Sequence, residues 1–251
     1  MSERLALAAV LALAFAPGAA GAPSGGFPVF GPGCARADFA SSGTHVRAEL
    51  CRGQAAARAV VVLHGCSGFS TFDHRLVTTF PTYGISTLDV DYFAPTPPPG
   101  SKGFCDAGGA LRGAFAAWVQ VAHDAAARLR GLTGLDRRHV GVVGWSLGGG
   151  VAVAAAAGPA ATRPFAAIAG FSTGAFEAAA FAQELPPTIL LSGGRTDAIP
   201  LAETLPLYEA LRAAQVPAEL YVYPHGSHDW PGRQGALGIA HAAAFLYRYL
   251  H

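Results

Sequence analysis

Ser146, Asp197 and His228 are the residue types that together perform nucleophilic acyl chemistry, and each stands just beyond an apolar run. Ser146 lies in Gly144-Trp145-Ser146-Leu147-Gly148, between the run HVGVVG and an alanine-rich stretch. A serine held on a sharp strand-to-helix turn projects its hydroxyl from the end of a sheet, and glycines two before and two after remove side chains that would collide there. The helix expected from Leu147 also turns unpaired N–H groups and its positive dipole end toward that hydroxyl. A neutral serine is a weak nucleophile, so the chemistry needs a base and a group that orients the base. Asp197 follows TILLSGGRT and His228 follows ELYVYPHGS. In this order, with room for one strand–helix unit in each interval, all three reach the same sheet edge. Ser146 is then expected to attack, His228 to carry the proton and Asp197 to orient the imidazole.

The neighbours of His228 offer competing assignments. His225 is a second candidate base but directly follows Tyr223-Pro224, close to a strand end. Asp229 is a weaker orienting acid, because an adjacent residue seldom folds back onto its neighbour's imidazole. His225-x-x-His228 lacks the nearby Cys or Glu cluster of a zinc site, so neither a metal nor another cofactor is expected. Asp89 and Asp91, at the end of an earlier strand, are read as capping or bracing loops, and His64 as holding the loop after AVVVL by hydrogen bonds. That loop, His64 to Gly68, follows the strand where a second oxyanion donor is drawn, and the backbone N–H groups of Cys66 and Leu147 are expected to form the oxyanion hole. A Gly-rich turn with no such role is the alternative. Trp145, Tyr92, Phe93 and Trp230, with Phe69 and Phe171, are candidates to line an apolar substrate pocket; the competing reading places these rings in the core.

These residues need a frame that brings strand ends together. Apolar, β-branched runs recur at Ala59–Leu63, Gly84–Val90, His139–Gly144, Phe165–Ala169, Thr188–Ser192 and Glu219–Tyr223, each the pattern of a strand buried on both faces. Helical stretches separate them over Asp73–Tyr83, Ala110–Arg130, Leu147–Gly158, Leu201–Ala214 and Gln234–Leu250. Short strands are expected first, around His45–Leu50, after a Gly- and Pro-rich lead-in at Pro23–Pro32. Alternation of this kind predicts an α/β fold: a mostly parallel central sheet covered by helices on both faces, with the chemistry beyond the strands' carboxyl ends. The interval between Gly170 and Thr188 is too short for a large cap domain, so the site is expected to be open.

Composition narrows the function classes. The 251 residues are 51% hydrophobic and 13% charged with a net charge of +1, which excludes intrinsic disorder and nucleic-acid binding through bulk charge. Mean hydropathy is +0.34, yet no uninterrupted apolar run of about 18 residues follows the N-terminal region. Leu5 to Ala16, preceded by Arg4 and followed by Pro17, Gly18 and Ala19-Ala20-Gly21-Ala22, reads as a cleaved signal peptide spanning residues 1–22, with residues 23–251 as a single catalytic domain. A retained N-terminal anchor helix is the competing reading. Export predicts a secreted or periplasmic protein with no stable membrane anchor after leader cleavage. In an oxidising compartment the four cysteines suggest two disulfides among three connectivities, with Cys34–Cys51 and Cys66–Cys105 preferred.

Taken together, LHGCSG at Leu63–Gly68, DYFAP at Asp91–Pro95, GWSLGG at Gly144–Gly149, GGRTDAIP at Gly193–Pro200 and YPHGSHDW at Tyr223–Trp230 resemble the dienelactone hydrolase family of the α/β-hydrolase fold. The resemblance covers most of the chain beyond the leader. It implies Ser146, Asp197 and His228 as the triad and favours the Cys66 and Leu147 amides as the oxyanion hole. Three departures qualify it. The enzyme that names the family has a cysteine nucleophile where this chain has Ser146. The two positions where that enzyme's arginines hold the substrate carboxylate read Pro95 and Gly232, with Arg233 adjacent but displaced. The leader points away from intracellular aromatic catabolism. Carboxylic esters of small to medium size, free or in a polymer, are therefore expected in place of dienelactone. Acyl transfer, peptide hydrolysis and a non-catalytic binding module of the same fold are the alternatives.

Overall fold

The computed structural model describes residues 33–54, 58–98, 102–105, 110–133, 137–174 and 178–251. The expected signal peptide at residues 1–22 and the expected lead-in at Pro23–Pro32 lie outside the described residues. The described chain opens with four short strands: β1 (Cys34–Arg36), β2 (Phe39–Ser41), β3 (Thr44–Val46) and β4 (Ala48–Cys51). Strands and helices then alternate through β5 (Arg58–Leu63), α1 (Thr71–Thr79), β6 (Ile85–Val90), α2 (Ala110–Thr133), β7 (Val140–Trp145), α3 (Leu147–Ala156), β8 (Ile168–Phe171), β9 (Thr188–Ser192), α4 (Leu201–Ala213), β10 (Ala218–Val222) and α5 (Gly232–Tyr249).

Eight strands form one sheet in the order β1-β4-β6-β5-β7-β8-β9-β10. From β6 to β10 neighbours run parallel, and β1 and β4 add an antiparallel edge. The order reverses at β5, with β6 on one side and β7 on the other, so the loops after β5 and β7 diverge and leave a crevice at their carboxyl ends. β2 and β3 make a separate hairpin fastened to α2, where the Ser41 hydroxyl donates to Asp124 Oδ2 at 2.7 Å.

The period-two geometry of the strands divides the core into two layers. Val61 and Leu63 of β5, Val142 of β7 and Leu190 of β9 pack with α2, α3 and α4. The alternate residues Val60 and Val62, Val143, Ala169 and Leu191 pack with α1 and α5. Both sheet faces are thus buried, which is why these runs are continuously apolar. Both disulfides form in the preferred pairing: Cys34–Cys51 joins a register pair of β1 and β4, and Cys66–Cys105 ties the loop after β5 to residues 102–105. Among the described residues no helix is long and apolar enough to cross a membrane.

Two elements depart clearly from the sequence reading. The helix expected to run to Tyr83 stops at Thr79 and continues as a 3₁₀ turn, Phe80–Tyr83, closed by Gly84 at φ 76°, because Pro81 has no N–H to extend the ladder. The strand expected at Phe165–Ala169 is Ile168–Phe171, since pairing with β7 starts at Val142↔Ile168. Helix α4 carries Pro206 in its interior. Between β8 and β9 the described residues hold one short helical segment, Ala178–Glu184, and no cap domain.

Candidate active site

Strand β7 passes into α3 through Ser146, whose φ is 54°. A side-chain-bearing residue rarely adopts this conformation, and the two motif glycines make it attainable. A Cβ on Gly144 would overlap the Gly148 carbonyl, and one on Gly148 would overlap the carbonyl oxygens of Leu63 and His64. α3 can therefore lie directly against the end of β5 only because Gly148 has no side chain. Ser146 is 1% exposed and its Oγ makes no hydrogen bond. The hydroxyl is withdrawn from solvent because β7 and the first two turns of α3, the two limbs of the elbow, are buried.

Asp197 and His228, on the loops after β9 and β10, are brought together, with His228 Nδ1 2.6 Å from Asp197 Oδ1. The carboxylate is fully enclosed by donors. The Ile199 N–H donates to Oδ1 at 2.9 Å, the Gly193 N–H to Oδ2 at 2.9 Å, and the Ser172 hydroxyl also donates to Oδ2. Burial by itself pushes this carboxyl up, but the hydrogen bond and charge of His228, then the Ser172 and Ile199 bonds, outweigh it and hold Asp197 below the usual carboxylate range. Gly193 is required here, since a Cβ on it would overlap Asp197 Oδ2.

The loop bearing His228 is held from several sides. Trp145, next to the serine, donates Nε1–H to the His228 carbonyl at 2.8 Å, and its ring centroid is 5.3 Å from the imidazole. Gln234 clamps Ser227, accepting from its N–H at 2.9 Å and donating to its carbonyl at 3.0 Å. Arg75 of α1 donates to the Trp230 carbonyl. The competitors His225 and Asp229 are both exposed, as is Arg233.

On the other side of the elbow, the Cys66 carbonyl accepts from Phe104 N–H at 2.7 Å, Gly68 N–H donates to the Gly65 carbonyl at 3.1 Å, and the Cys66–Cys105 disulfide pins the loop. A Cβ on Gly65 would lie 2.7 Å from the Trp145 ring, so this loop packs directly on the residue preceding Ser146. Neither the Cys66 nor the Leu147 amide is used by a turn, loop or cap bond among the described residues. His64 is fully buried, its Nδ1 2.9 Å from the Gly65 carbonyl, stacked on Tyr92 at 4.3 Å. Burial lowers its pKa to about 4, against the opposing Gly65 bond and Asp91 charge.

The aromatic residues separate into two groups. Tyr92 and Trp230 have no accessible surface, and their polar atoms are committed: the Tyr92 hydroxyl donates to the His64 carbonyl at 2.9 Å, and Trp230 Nε1–H to Ser172 Oγ at 2.9 Å. Phe93 is 4% and Trp145 5% exposed, whereas Phe69 is half-buried beside His64. Asp91 braces a loop as expected, accepting from Arg47 Nη2 at 2.6 Å. Asp89 does not. It faces Glu49 across the β4–β6 pair, fully buried, with neither oxygen hydrogen-bonded, because its strand position points it under α1 and away from any loop. Ser172, Arg75 and Gln234 escaped the sequence reading; a serine directly after GF at a strand end was the only local signal for any of them.

The chain has an α/β-hydrolase fold. The model of the dienelactone hydrolase family matches residues 46–246, and the chain belongs to that family. A dienelactone hydrolase from Anabaena variabilis superposes with a TM-score of 0.70 at 22% identity, covering 87% of this chain and 98% of that one. An acylaminoacyl peptidase from Pyrococcus horikoshii superposes with a TM-score of 0.67 at 15% identity over 86% of this chain and 41% of that one. A dienelactone hydrolase-like promiscuous phosphotriesterase from metagenomic libraries gives 0.67 at 14% identity, covering 86% and 98%. No curated protein matches the sequence.

Proposed function

We propose that this chain is an exported serine hydrolase that cleaves carboxylic esters of small to medium size through an acyl-enzyme. The observation that carries this reading is the Asp197–His228 pair at 2.6 Å beside a serine held at φ 54° on a strand-to-helix elbow. Ser146 Oγ attacks the ester carbonyl as His228 Nε2 takes its proton, and the Cys66 and Leu147 amides receive the developing oxyanion. Imidazolium then protonates the departing alcohol, and water repeats the sequence to release the acid. Asp197 keeps Nδ1 protonated, so that Nε2 is the basic nitrogen, and offsets the charge of the imidazolium.

Membership of the family supports hydrolysis, and the lack of arginine at Pro95 and Gly232 favours a neutral ester over a carboxylate-bearing lactone. The half-buried Phe69 and the edges of Trp145 and Phe93 suit an apolar acyl or alcohol group. The leader and two disulfides support a secreted or periplasmic location.

Replacing Ser146 by alanine should lower turnover of a short p-nitrophenyl ester at least about a thousandfold with the fold intact. A fluorophosphonate probe should label Ser146 in the parent chain. Retained turnover in Ser146→Ala, or no label on the parent, would reject the serine mechanism. Adding an alcohol or amine acceptor to the same assay separates hydrolysis from acyl transfer, and peptide substrates test the activity of the peptidase neighbour.

A further inference from the structure

Five residues other than glycine have a positive φ among the described residues, and three of them, Ser146, Ser172 and Trp230, sit at the candidate site at 54°, 47° and 49°. Strain of this kind persists only where surrounding structure over-determines it. At Ser146 the elbow accounts for it. At Ser172 and Trp230 the two strained residues bond to each other and to Asp197: Trp230 Nε1–H donates to Ser172 Oγ, and the Ser172 hydroxyl donates to Asp197 Oδ2.

The direction of this chain follows from the groups themselves. An indole N–H is a donor only, and a serine hydroxyl carries one proton. With Trp230 filling an acceptor site on Oγ, the single Ser172 proton points at the carboxylate. Trp230 is itself immobilised. It has no exposed surface, its ring packs edge-on against Phe171 at 5.1 Å and Tyr223 at 5.1 Å, and its carbonyl accepts from Arg75. Ser172 is fixed by its own N–H, which donates to the Leu191 carbonyl at 2.7 Å. We infer that Ser172 and Trp230 are positioning residues of the catalytic machinery, a directed relay that fixes the orientation and charge of Asp197 and, through it, of His228. This rests on the serine-hydrolase reading above and extends it from three residues to five.

The titratable and charged groups facing the relay are His228 on Asp197, Arg75 on the Trp230 carbonyl, and Tyr223 against the Trp230 ring. Asp197 Oδ1 and His228 Nδ1 lie 2.6 Å apart, so a change at the carboxylate is felt directly by the imidazole. A hydrogen bond to a lone carboxylate is stronger than one to a carboxylate already facing imidazolium. Losing the Ser172 donor therefore favours protonation of the pair, and the acid limb of the activity profile moves to higher pH.

The test uses Ser172→Gly, which removes the hydroxyl and relieves the positive φ, together with Trp230→Phe and the double variant, each checked for retained fold. Ser172→Gly should lower kcat about tenfold to a hundredfold with KM changed less than about twofold. The acid limb of kcat/KM should rise by about half a pH unit to one unit. Trp230→Phe should act in the same direction, and adding it to Ser172→Gly should cause no further change. An unchanged kcat and acid limb in Ser172→Gly, or full additivity in the double variant, would overturn the relay. If the parent neither turns over esters nor reacts with the fluorophosphonate, the serine-hydrolase reading fails by itself. The His228 imidazole titration, followed by NMR, then decides the relay: an upward displacement in Ser172→Gly supports it and an unchanged titration rejects it.

Discussion

At the residue scale, the site depends on atoms that are missing as much as on those present. Gly193 has an ordinary backbone φ of −71°, so alanine would be conformationally acceptable there. Its Cβ, however, would occupy the place of Asp197 Oδ2. Gly193→Ala should therefore displace the carboxylate from His228 while leaving the local backbone intact. The expected outcome is a fall in kcat of about a hundredfold, by analogy with the loss of other groups that orient a catalytic histidine, with a decrease in Tm of no more than about 5 °C. Steady-state kinetics and calorimetry on the same preparation check both, and an unaltered kcat would show that the carboxylate position is uncritical. Gly193 could be named from the sequence as part of a strand-end GG turn. That the space a side chain would need there is taken by the Asp197 carboxylate came only from the fold.

At the scale of elements, two contacts decide whether the strand ends converge. The first is α3 against β5. A methyl group on Gly148 would meet backbone oxygens of Leu63 and His64, which cannot rotate aside, so Gly148→Ala should destabilise the protein by about 3 kcal/mol as an overpacked site, measurable by urea unfolding. The second is α1 over the sheet. Ser70 caps this helix: its Oγ accepts from the Phe72 and Asp73 N–H groups, both at 3.2 Å, while Asp73 Oδ2 accepts from the Ser70 N–H at 2.8 Å. Asp73 is fully buried, and burial raises its pKa to about 7.

That burial has a consequence for pH. Between the ordinary carboxyl value of 3.8 and about 7, the unfolded chain has ionised Asp73 while the folded chain keeps the proton, so stability falls as pH rises. His64 works the other way. Between about 4 and its ordinary 6.5 the unfolded imidazole is charged and the folded one neutral, so stability rises with pH. The two contributions oppose each other across nearly the same window. Asp73→Asn, which keeps an acceptor for the cap, removes the first and leaves the second. The unfolding free energy from denaturant melts should then climb more steeply from pH 4 to 6.5 than in the parent, by up to about 1.4 kcal/mol per pH unit. An identical slope in the two proteins would show that Asp73 does not keep its proton on folding.

At the scale of the whole molecule, the two disulfides do different work. Cys34–Cys51, with a sequence separation of 17, staples the antiparallel edge of the sheet, and Cys66–Cys105, with a separation of 39, anchors the loop proposed to supply an oxyanion donor. The chain-entropy relation gives about 3 and about 4 kcal/mol of stabilisation. Replacing Cys34 and Cys51 together by serine should lower stability with kcat unchanged. Replacing Cys66 and Cys105 together should lower both, with kcat down about tenfold, short of the roughly hundredfold loss of an entire donor. Denaturant melts and ester kinetics on the two double variants distinguish these outcomes.

The elbow, the order Ser146, Asp197, His228, the strand–helix alternation and the disulfide pairing were all legible in the sequence. Each is written in contiguous residues or their spacing, as with glycines that permit a sharp turn and β-branched runs that suit a doubly covered strand. The enclosure of Asp197 was not legible. Its donor Ser172 stands 25 residues away, and the Arg75–Trp230 contact that steadies the relay spans 155. The same limit explains Tyr92 and Trp230, whose types suit a pocket wall but whose positions bury them and spend their polar atoms inside the protein. Local backbone chemistry determined where the reactive groups fall along the chain. Which donors surround them was decided by packing between distant segments, because a hydrogen bond depends on where two side chains meet in space and leaves no periodic mark in sequence.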